Sequence, residues 1–171
     1  MAGHPHPTPD LQLREATQAD LDLVRSLFRE YAASLDFDLG FQHFEDELAT
    51  LPGKYAAPSG FILLAFLEDA PAGCVALRPL SVERCEMKRL YVRPEARSAG
   101  VGRALLEGFL QKARLLSYQS VVLDTIEPLM SRAIAMYKSV GFREIPPYCD
   151  NPVRGAKYLE LALTPGSGSR F

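Results

Sequence analysis

The sequence predicts a single domain of the α/β class, built on a mixed β-sheet with helices packed against it. Two observations support this prediction. The chain has 171 residues and a mass of 18.9 kDa, which suits one domain with a sizeable core. Apolar runs of strand type alternate with segments of helical period in the order βααβββαβαββ, without an internal repeat or linker. We therefore expect one folded domain over residues 11–163, flanked by flexible segments at 1–10 and 164–171.

The first half of the chain predicts a strand, two helices and a β-hairpin. Residues 11–15 alternate apolar and polar side chains, as a strand does. Thr17 and Asp20 have the spacing of a capping box. A helix follows, in which apolar residues recur at steps of three and four: Leu21, Val24, Leu27, Phe28, Tyr31 and Leu35. A shorter helix is predicted over 41–51. The hairpin is predicted from two apolar runs and a turn: residues 61–68, 74–80 and, between them, 69–73.

The second half predicts strand, helix, strand, helix and two closing strands. The strand over 85–92 is stopped by Pro94. Helical periodicity follows over 102–116, and the valine-rich residues 120–125 predict another strand. The last elements are a helix over 129–140, which Gly141 ends, and two short strands over 142–145 and 157–163.

Composition and charge exclude several classes of function. With 19 Lys and Arg against 21 Asp and Glu, the formal net charge is −2, which disfavours general binding to nucleic acid or to a membrane surface. The three cysteines, Cys74, Cys85 and Cys149, lack the spacing of a zinc site or redox pair. We expect reduced thiols and no metal. No targeting or membrane segment is evident, so we expect a cytoplasmic protein.

Charge is unevenly distributed along the chain. Residues 10–47 contain ten acidic and three basic side chains, whereas residues 84–114 contain eight basic and three acidic ones. Both segments could be solvated faces. Alternatively, the central segment binds an anion and the N-terminal segment meets a cation.

The segment from Cys85 to Leu106 is the most informative. A strand leads through Arg97-Ser-Ala-Gly100-Val-Gly102 into a helix. Glycines at such a junction let backbone N–H groups approach a ligand, and the free N–H groups of a helix N-terminus attract phosphate. A Walker A loop is excluded because no Lys-Ser/Thr follows Gly102, and the dinucleotide fingerprint lacks its third glycine, since Leu105 occupies that position. An anion site and an ordinary tight turn both remain open from these residues alone.

The same segment resembles motif A of the GNAT superfamily of acetyl-CoA-dependent N-acetyltransferases, whose core is R/Q-x-x-G-x-G/A. A second block, Ala133-Ile-Ala-Met-Tyr137-Lys-Ser-Val-Gly141-Phe142, resembles the family's A-x-x-L-Y-x-x-x-G-F. The resemblance extends from about Leu11 to Leu163. It implies a GNAT-like fold and acetyl transfer from acetyl-CoA to an amine by direct attack, without a covalent enzyme intermediate.

The resemblance also implies a cofactor site. The strands at 85–92 and 120–125 would separate and admit the pantetheine arm, which pairs with the backbone near Leu90, Tyr91 and Val92. The Leu90 N–H would polarise the thioester carbonyl. The pyrophosphate would bind around the glycine loop, formed by Arg97, Ser98, Ala99, Gly100, Val101, Gly102, Arg103 and Ala104.

Two side chains are implied in catalysis. Tyr137 matches the family's tyrosine near the cofactor sulfur, where a protonated phenol would donate to the leaving thiolate; without that match the residue is better explained as a core tyrosine whose hydroxyl is satisfied. Glu86 matches the glutamate that removes the amine proton in some members, and its alternative is a structural carboxylate paired with Lys88, Arg84 or another arginine. Met130 departs from the family, which often has an asparagine contacting the cofactor arm there.

The acceptor is less well defined. In the family, the first helices and closing strands wall its pocket, and acidic residues of that region favour a small cationic amine: Asp36, Asp38, Glu45, Asp46 and Glu47. These acids could equally form a solvated face. Acetylation of a protein N-terminus or lysine is the main alternative, followed by an acyl-CoA-binding module without catalysis and by an unrelated nucleotide-binding domain. A homodimer is compatible with the family.

Overall fold

The computed structural model describes residues 8–163, which form a seven-stranded mixed sheet covered by helices on both faces. The strands are β1 (Leu11–Glu15), β2 (Phe61–Leu67), β3 (Ala70–Pro79), β4 (Arg84–Val92), β5 (Ser120–Ile126), β6 (Arg143–Glu144) and β7 (Ala156–Ala162). The helices are α1 (Leu21–Ala33), α2 (Phe44–Ala49), α3 (Val101–Leu115) and α4 (Ser131–Ser139). This order confirms the predicted fold class. Residues 1–7 and 164–171, predicted to be flexible, lie outside the described residues.

The sheet has the order β1-β2-β3-β4-β5-β7-β6. Neighbouring strands pair antiparallel, except for β4 and β5, which are parallel. Parallel strands need a crossover connection, and α3 supplies it. The central parallel pair thus brings the ends of two strands and the start of α3 to one edge of the sheet.

Several element boundaries differ from the predictions. The helix predicted over 41–51 is a 3-10 turn at 40–42 followed by α2 alone, because His43 breaks the helix with φ of 55°. The predicted turn at 69–73 is wrong. Glu68 and Asp69 both have positive φ, 50° and 63°, and such a two-residue turn matches the twist of the paired strands. β3 therefore begins at Ala70.

Two apolar clusters cover the two faces of the sheet. On one face α3 packs Leu105, Leu106 and Phe109 against β3 and β4, and Tyr137 of α4 belongs to the same cluster. On the other face α1 and α2 pack against β2 and β3. Burial raises the pKa of Cys74 to about 12, so this thiol behaves as a small apolar side chain. Among the described residues, no helix is long and apolar enough to cross a membrane.

Candidate active site

A cleft opens where β4 and β5 separate. The two strands pair only from Arg84 with Ser120 to Glu86 with Val122, although β5 stays paired with β7 along its whole length. A cavity of about 740 Å³ lies in the cleft, within the usual size of a small-molecule site. Residues from α1, β4, β5 and α4 line it. Because α1 and α4 belong to opposite faces of the sheet, the cavity reaches both faces.

A β-bulge shapes the β4 edge of the cleft. The register with β3 shifts between Cys74 and Ala76, so Arg89 and Leu90 lie opposite Val75 alone. Arg89 adopts a φ of 59°. A bulge leaves one residue outside the ladder and bends the strand. The residues predicted to pair with the cofactor arm, Leu90 to Val92, line the cavity directly after this bend.

The bulge also anchors the wall on the α1–α2 face. The guanidinium of Arg89 donates to both carboxylate oxygens of Glu47, at 2.9 and 3.1 Å, and to Gln42 Oε1 at 2.9 Å. It lies over the rings of Tyr31 and Phe44, 5.7 and 5.2 Å from their centroids. Only 2% of the Arg89 side chain is exposed. Its donors are therefore committed to holding α1 and the start of α2 against the sheet.

The glycine loop presents free backbone donors at the other end of the cleft. Gly100 caps α3 with a φ of 77°, a left-handed conformation that favours glycine. The amide of Ala104 bonds to Gly100 O at 3.1 Å. Within residues 8–163, the amides of Ser98 and of 100–103 have no hydrogen-bond acceptor. These free N–H groups and the positive end of the α3 dipole form an anion-binding surface.

The structure brings most of the predicted cofactor residues together around this loop. Arg97 and Gly102 line the cavity. Arg103 is exposed and bonds to Glu107 and to Ser139 of α4, at 3.2 and 3.3 Å. The remaining positions form the turn and the first turn of α3: Ser98, Ala99, Gly100, Val101 and Ala104.

Tyr137 lies on the α3–α4 face of the cleft. The side chain is buried, lines the cavity and packs against Phe142 with ring centroids 5.7 Å apart. No side chain or backbone group of residues 8–163 hydrogen-bonds its hydroxyl. Burial raises the pKa of this phenol, with a smaller contribution from Tyr31. Tyr137 is therefore a protonated donor with an uncommitted O–H group at the cavity.

Glu86 lies outside the cavity lining. Its side chain is 1% exposed, and Oε1 accepts a hydrogen bond from Arg78 Nε at 2.5 Å. The other oxygen accepts a hydrogen bond from the hydroxyl of Tyr148. Burial, followed by the charge of Glu86, raises the pKa of Tyr148, which keeps it a donor. Glu86 thus pairs with an arginine on the neighbouring strand, which is the structural alternative that the sequence left open. The role of Glu86 as a base stays a prediction.

The acceptor face has a different lining from the predicted acidic wall. The side chains that line the cavity here are mostly aromatic and aliphatic: Tyr31, Leu35, Phe37 and Leu39. None of the five acids of residues 36–47 is among the residues that line the cavity. Asp38 instead accepts the Gly40 N–H at 2.6 Å, and Glu47 pairs with Arg89. The sequence argument for a cationic acceptor therefore loses its structural basis.

Sequence reasoning missed the charged pair at the centre of this face. Lys88 on β4 and Asp124 on β5 line the cavity, with Nζ 3.6 Å from Oδ1. Asn151, from the loop between β6 and β7, donates to Asp124 Oδ2 at 2.9 Å. Strand alternation places Lys88 with Glu86 on one face of β4, but only the pairing register of β4 and β5 shows that Lys88 and Asp124 meet.

Met130 also lines the cavity, at the position where the resembled family often has asparagine. Its sulfur accepts a hydrogen bond from Thr125 Oγ1 at 3.2 Å. A thioether is a weak acceptor and no donor, so Met130 offers the cavity an apolar contact.

Comparisons with known proteins agree with this geometry. The sequence model of the acetyltransferase (GNAT) family matches residues 21–142. An uncharacterized N-acetyltransferase of Schizosaccharomyces pombe is 42% identical over 147 residues, which cover 85% of this chain and 90% of that protein. An acetyltransferase structure from Streptococcus agalactiae has a TM-score of 0.71 at 22% identity, over 90% of this chain and 98% of that one. A structure from Salmonella typhimurium that contains its cofactor acetyl-CoA has a TM-score of 0.69 at 17% identity, over 92% and 96%. The chain therefore belongs to the acetyltransferase (GNAT) family and is an acyltransferase.

Proposed function

We propose that this protein transfers an acetyl group from acetyl-CoA to the primary amine of a small molecule. The observation that carries the proposal is the cleft between β4 and β5, which has free backbone donors at the glycine loop and the uncommitted hydroxyl of Tyr137 at its side. A phosphate group fits the first feature and a leaving thiolate fits the second.

The cofactor would occupy the α3–α4 side of the cleft. Its pyrophosphate would accept hydrogen bonds from the amides of Ser98 and residues 100–103, with Arg97 at the rim. The pantetheine arm would lie along Leu90 to Val92, where the bulge bends β4 and exposes backbone to the cavity. The Leu90 N–H would then stabilise charge that develops on the thioester oxygen. The apolar surface of Met130 would contact the arm.

The reaction would proceed by direct attack within the ternary complex. The amine must first lose a proton. A primary amine has a pKa of about 10, so at neutral pH it is an ammonium ion, which has no lone pair for attack. Its nitrogen then bonds to the thioester carbon, the C–S bond breaks, and Tyr137 protonates the thiolate. Holding both reactants in line supplies much of the rate. Glu86 is the sequence-predicted base, and Asp124 is the carboxylate that lines the cavity, so the two must be tested against each other.

The lining of the acceptor face supports an acceptor with an apolar part. Tyr31, Leu35, Phe37 and Leu39 line this side of the cavity. A cytoplasmic location and a homodimer stay predictions from the sequence.

The experiment that tests the proposal measures acetyl-CoA binding and then thiol release. At 100 times its Kd the cofactor should stabilise the fold by about 2.7 kcal/mol, which raises Tm by roughly 5–10 °C for a domain of this size. ATP and NAD serve as controls. A Tm rise with acetyl-CoA alone, followed by amine-dependent release of free thiol, supports the proposal. Binding without release for any amine of a broad panel would indicate a non-catalytic module, and absence of binding at millimolar acetyl-CoA would refute the cofactor site.

A further inference from the structure

One charged pair on the acceptor face has unused hydrogen-bonding capacity. The side chains of Lys88 and Asp124 are 12% and 9% exposed, and the 3.6 Å between Nζ and Oδ1 exceeds a hydrogen bond. In the part of the chain that the structure describes, Lys88 Nζ donates no hydrogen bond and Asp124 Oδ1 accepts none. Both residues are intermediate in burial, and no fully buried side-chain N or O atom of residues 8–163 lacks a hydrogen-bond partner, so these two atoms are accessible from the cavity. The open positions face a cavity, which points to a ligand.

The loop between β6 and β7 holds the carboxylate of Asp124 in place. Asn151 donates to the second oxygen of Asp124 at 2.9 Å, and its own Oδ1 accepts the Val153 N–H at 2.9 Å. This second bond fixes the orientation of the amide. Gly155, which ends the loop, packs so closely that an added Cβ would lie 2.1 Å from Glu127 O. Asp124 Oδ2 is thus hydrogen-bonded within the protein, and Oδ1 is free to bind a ligand in the cavity.

The charges available on this face therefore amount to one cation and one anion. Three N–H groups of the neighbouring Arg89 are bonded to Glu47 and Gln42, and its side chain is only 2% exposed. The rest of the wall is mostly aromatic or aliphatic, with Ser34 and Gln42 as uncharged polar members. The complementary ligand carries one ammonium, one anion a few ångströms away, and an apolar group.

We propose that the acceptor is an amino acid with an apolar side chain, bound by its ammonium at Asp124 Oδ1 and by its carboxylate at Lys88 Nζ. This inference rests on the proposed acetyl transfer and names the substrate class of that site. Asp124 accepts one proton from the ammonium before the nitrogen attacks the thioester carbon. The second proton, lost as the amide forms, balances the proton that the leaving thiolate takes from Tyr137. One proton is released to water per turnover.

Three matched probes separate this ligand from the alternatives. L-phenylalanine has both charges, L-phenylalanine amide stands for a protein N-terminus without the carboxylate, and 2-phenylethylamine keeps only the amine and the ring. Binding of each is measured by calorimetry to the protein saturated with coenzyme A, and turnover is measured by thiol release with acetyl-CoA. We expect L-phenylalanine to exceed the other two by about 10–100-fold in affinity and in kcat/KM, the usual value of a hydrogen bond to a charged group.

Two variants test whether Lys88 and Asp124 cause the preference for L-phenylalanine. Lys88→Met should raise KM for L-phenylalanine about 10–100-fold and abolish its advantage over 2-phenylethylamine in kcat/KM, because any effect of the lost charge on Asp124 is shared by all three probes. Asp124→Asn should lower kcat/KM for all three probes. Lys54→Met, which removes an exposed lysine distant from the cavity, is the matched control and should change nothing.

The outcomes distinguish failure of the amino-acid assignment from failure of the proposed acetyl transfer. If L-phenylalanine amide or 2-phenylethylamine binds as well as L-phenylalanine, or if Lys88→Met leaves the preference intact, the amino-acid assignment is wrong although acetyl transfer stands. The same holds if coenzyme A binds and none of the three probes does. If coenzyme A itself does not bind, the proposed function fails and the acceptor assignment fails with it.

Discussion

The two halves of the cleft differ in the chemical groups that they present, which are backbone amides in one half and side chains in the other. The cofactor half offers backbone amides, from the bulged β4 and from the glycine loop that begins α3. The acceptor half has a mostly apolar lining, and it depends on charged side chains that pair across elements: Arg89 with Glu47, Lys88 with Asp124 and, outside the lining, Arg78 with Glu86. Every residue type except proline has a backbone N–H donor, whereas a charged pair depends on both partners. Side-chain substitutions in the glycine loop, apart from Gly100, should therefore do little harm to cofactor binding, and substitutions in the charged pairs should do considerable harm.

The largest expected effect is on stability, at Arg89. Arg89→Met leaves the carboxylate of Glu47 without its partner and releases α2 from β4, and breaking a buried pair in this way costs about 3–5 kcal/mol. Arg103→Met is the matched control in the cofactor half, because its pair with Glu107 is more than half exposed on both sides and such pairs contribute at most about 1 kcal/mol. Urea unfolding measures both variants. Equal losses for the two would contradict the contrast between the halves.

Tyr137 should show the largest effect on catalysis. Tyr137→Phe keeps the packing against Phe142 and removes only the hydroxyl, so we expect kcat to fall about 100–1,000-fold with little change in acetyl-CoA affinity. Steady-state kinetics and calorimetry measure the two quantities. An unchanged kcat would show that Tyr137 is simply a core residue.

The pH profile sharpens the assignment of Tyr137. Its pKa is raised by burial above the ordinary value near 10, so the phenol stays protonated as pH increases through the neutral and mildly alkaline range. The kcat of the wild type should show no decline below about pH 10 that depends on this residue. A descending limb near pH 9 that disappears in Tyr137→Phe would contradict the raised pKa.

Glu86 should affect the fold more than the reaction. Glu86→Gln removes the charge paired with Arg78, whose side chain is 26% exposed. We expect the free energy of unfolding to fall by about 1–3 kcal/mol, because solvent around Arg78 limits the loss. Because Glu86 does not line the cavity, kcat should change much less than in Asp124→Asn. A large fall in kcat for Glu86→Gln with unchanged stability would restore Glu86 as the base.

The smallest effect is expected in the glycine loop. Ser98→Ala retains the backbone amide and should change the Kd of acetyl-CoA by less than about twofold, because in the proposed site the backbone N–H groups bind the phosphate. Isothermal calorimetry is sufficient to measure it. A tenfold loss would show that side chains, rather than the backbone, bind the cofactor in this half.

The same contrast explains what could be predicted from the sequence. The glycine loop is contiguous, so the resemblance of Arg97, Gly100 and Gly102 to motif A can be recognised from the sequence, and hydrophobic periodicity was sufficient for the element order. The acceptor half joins positions far apart in the chain. Lys88 and Asp124 meet because the register of β4 and β5, with Glu86 opposite Val122, sets them at matching positions on adjacent strands, and no local pattern predicts that register.

The bulge is the second feature that local patterns did not reveal. A strict alternation over 85–92 would place Arg89 on the α3 face of the sheet, with Cys85 and Met87. The extra residue in the ladder reverses the alternation, and Arg89 instead enters the α1–α2 face. The Arg78–Glu86 pair was within reach of sequence reasoning, since the two residues lie directly opposite each other in the β3–β4 ladder, but only with the hairpin register known.

Amide hydrogen exchange with and without acetyl-CoA tests the central claim most directly. If backbone donors hold the cofactor, saturating acetyl-CoA should slow exchange in two separate segments, residues 90–92 and 98–104, and ATP at the same concentration should not. Binding of acetyl-CoA with no added protection in either segment would contradict the proposed placement of the cofactor in the β4–β5 cleft.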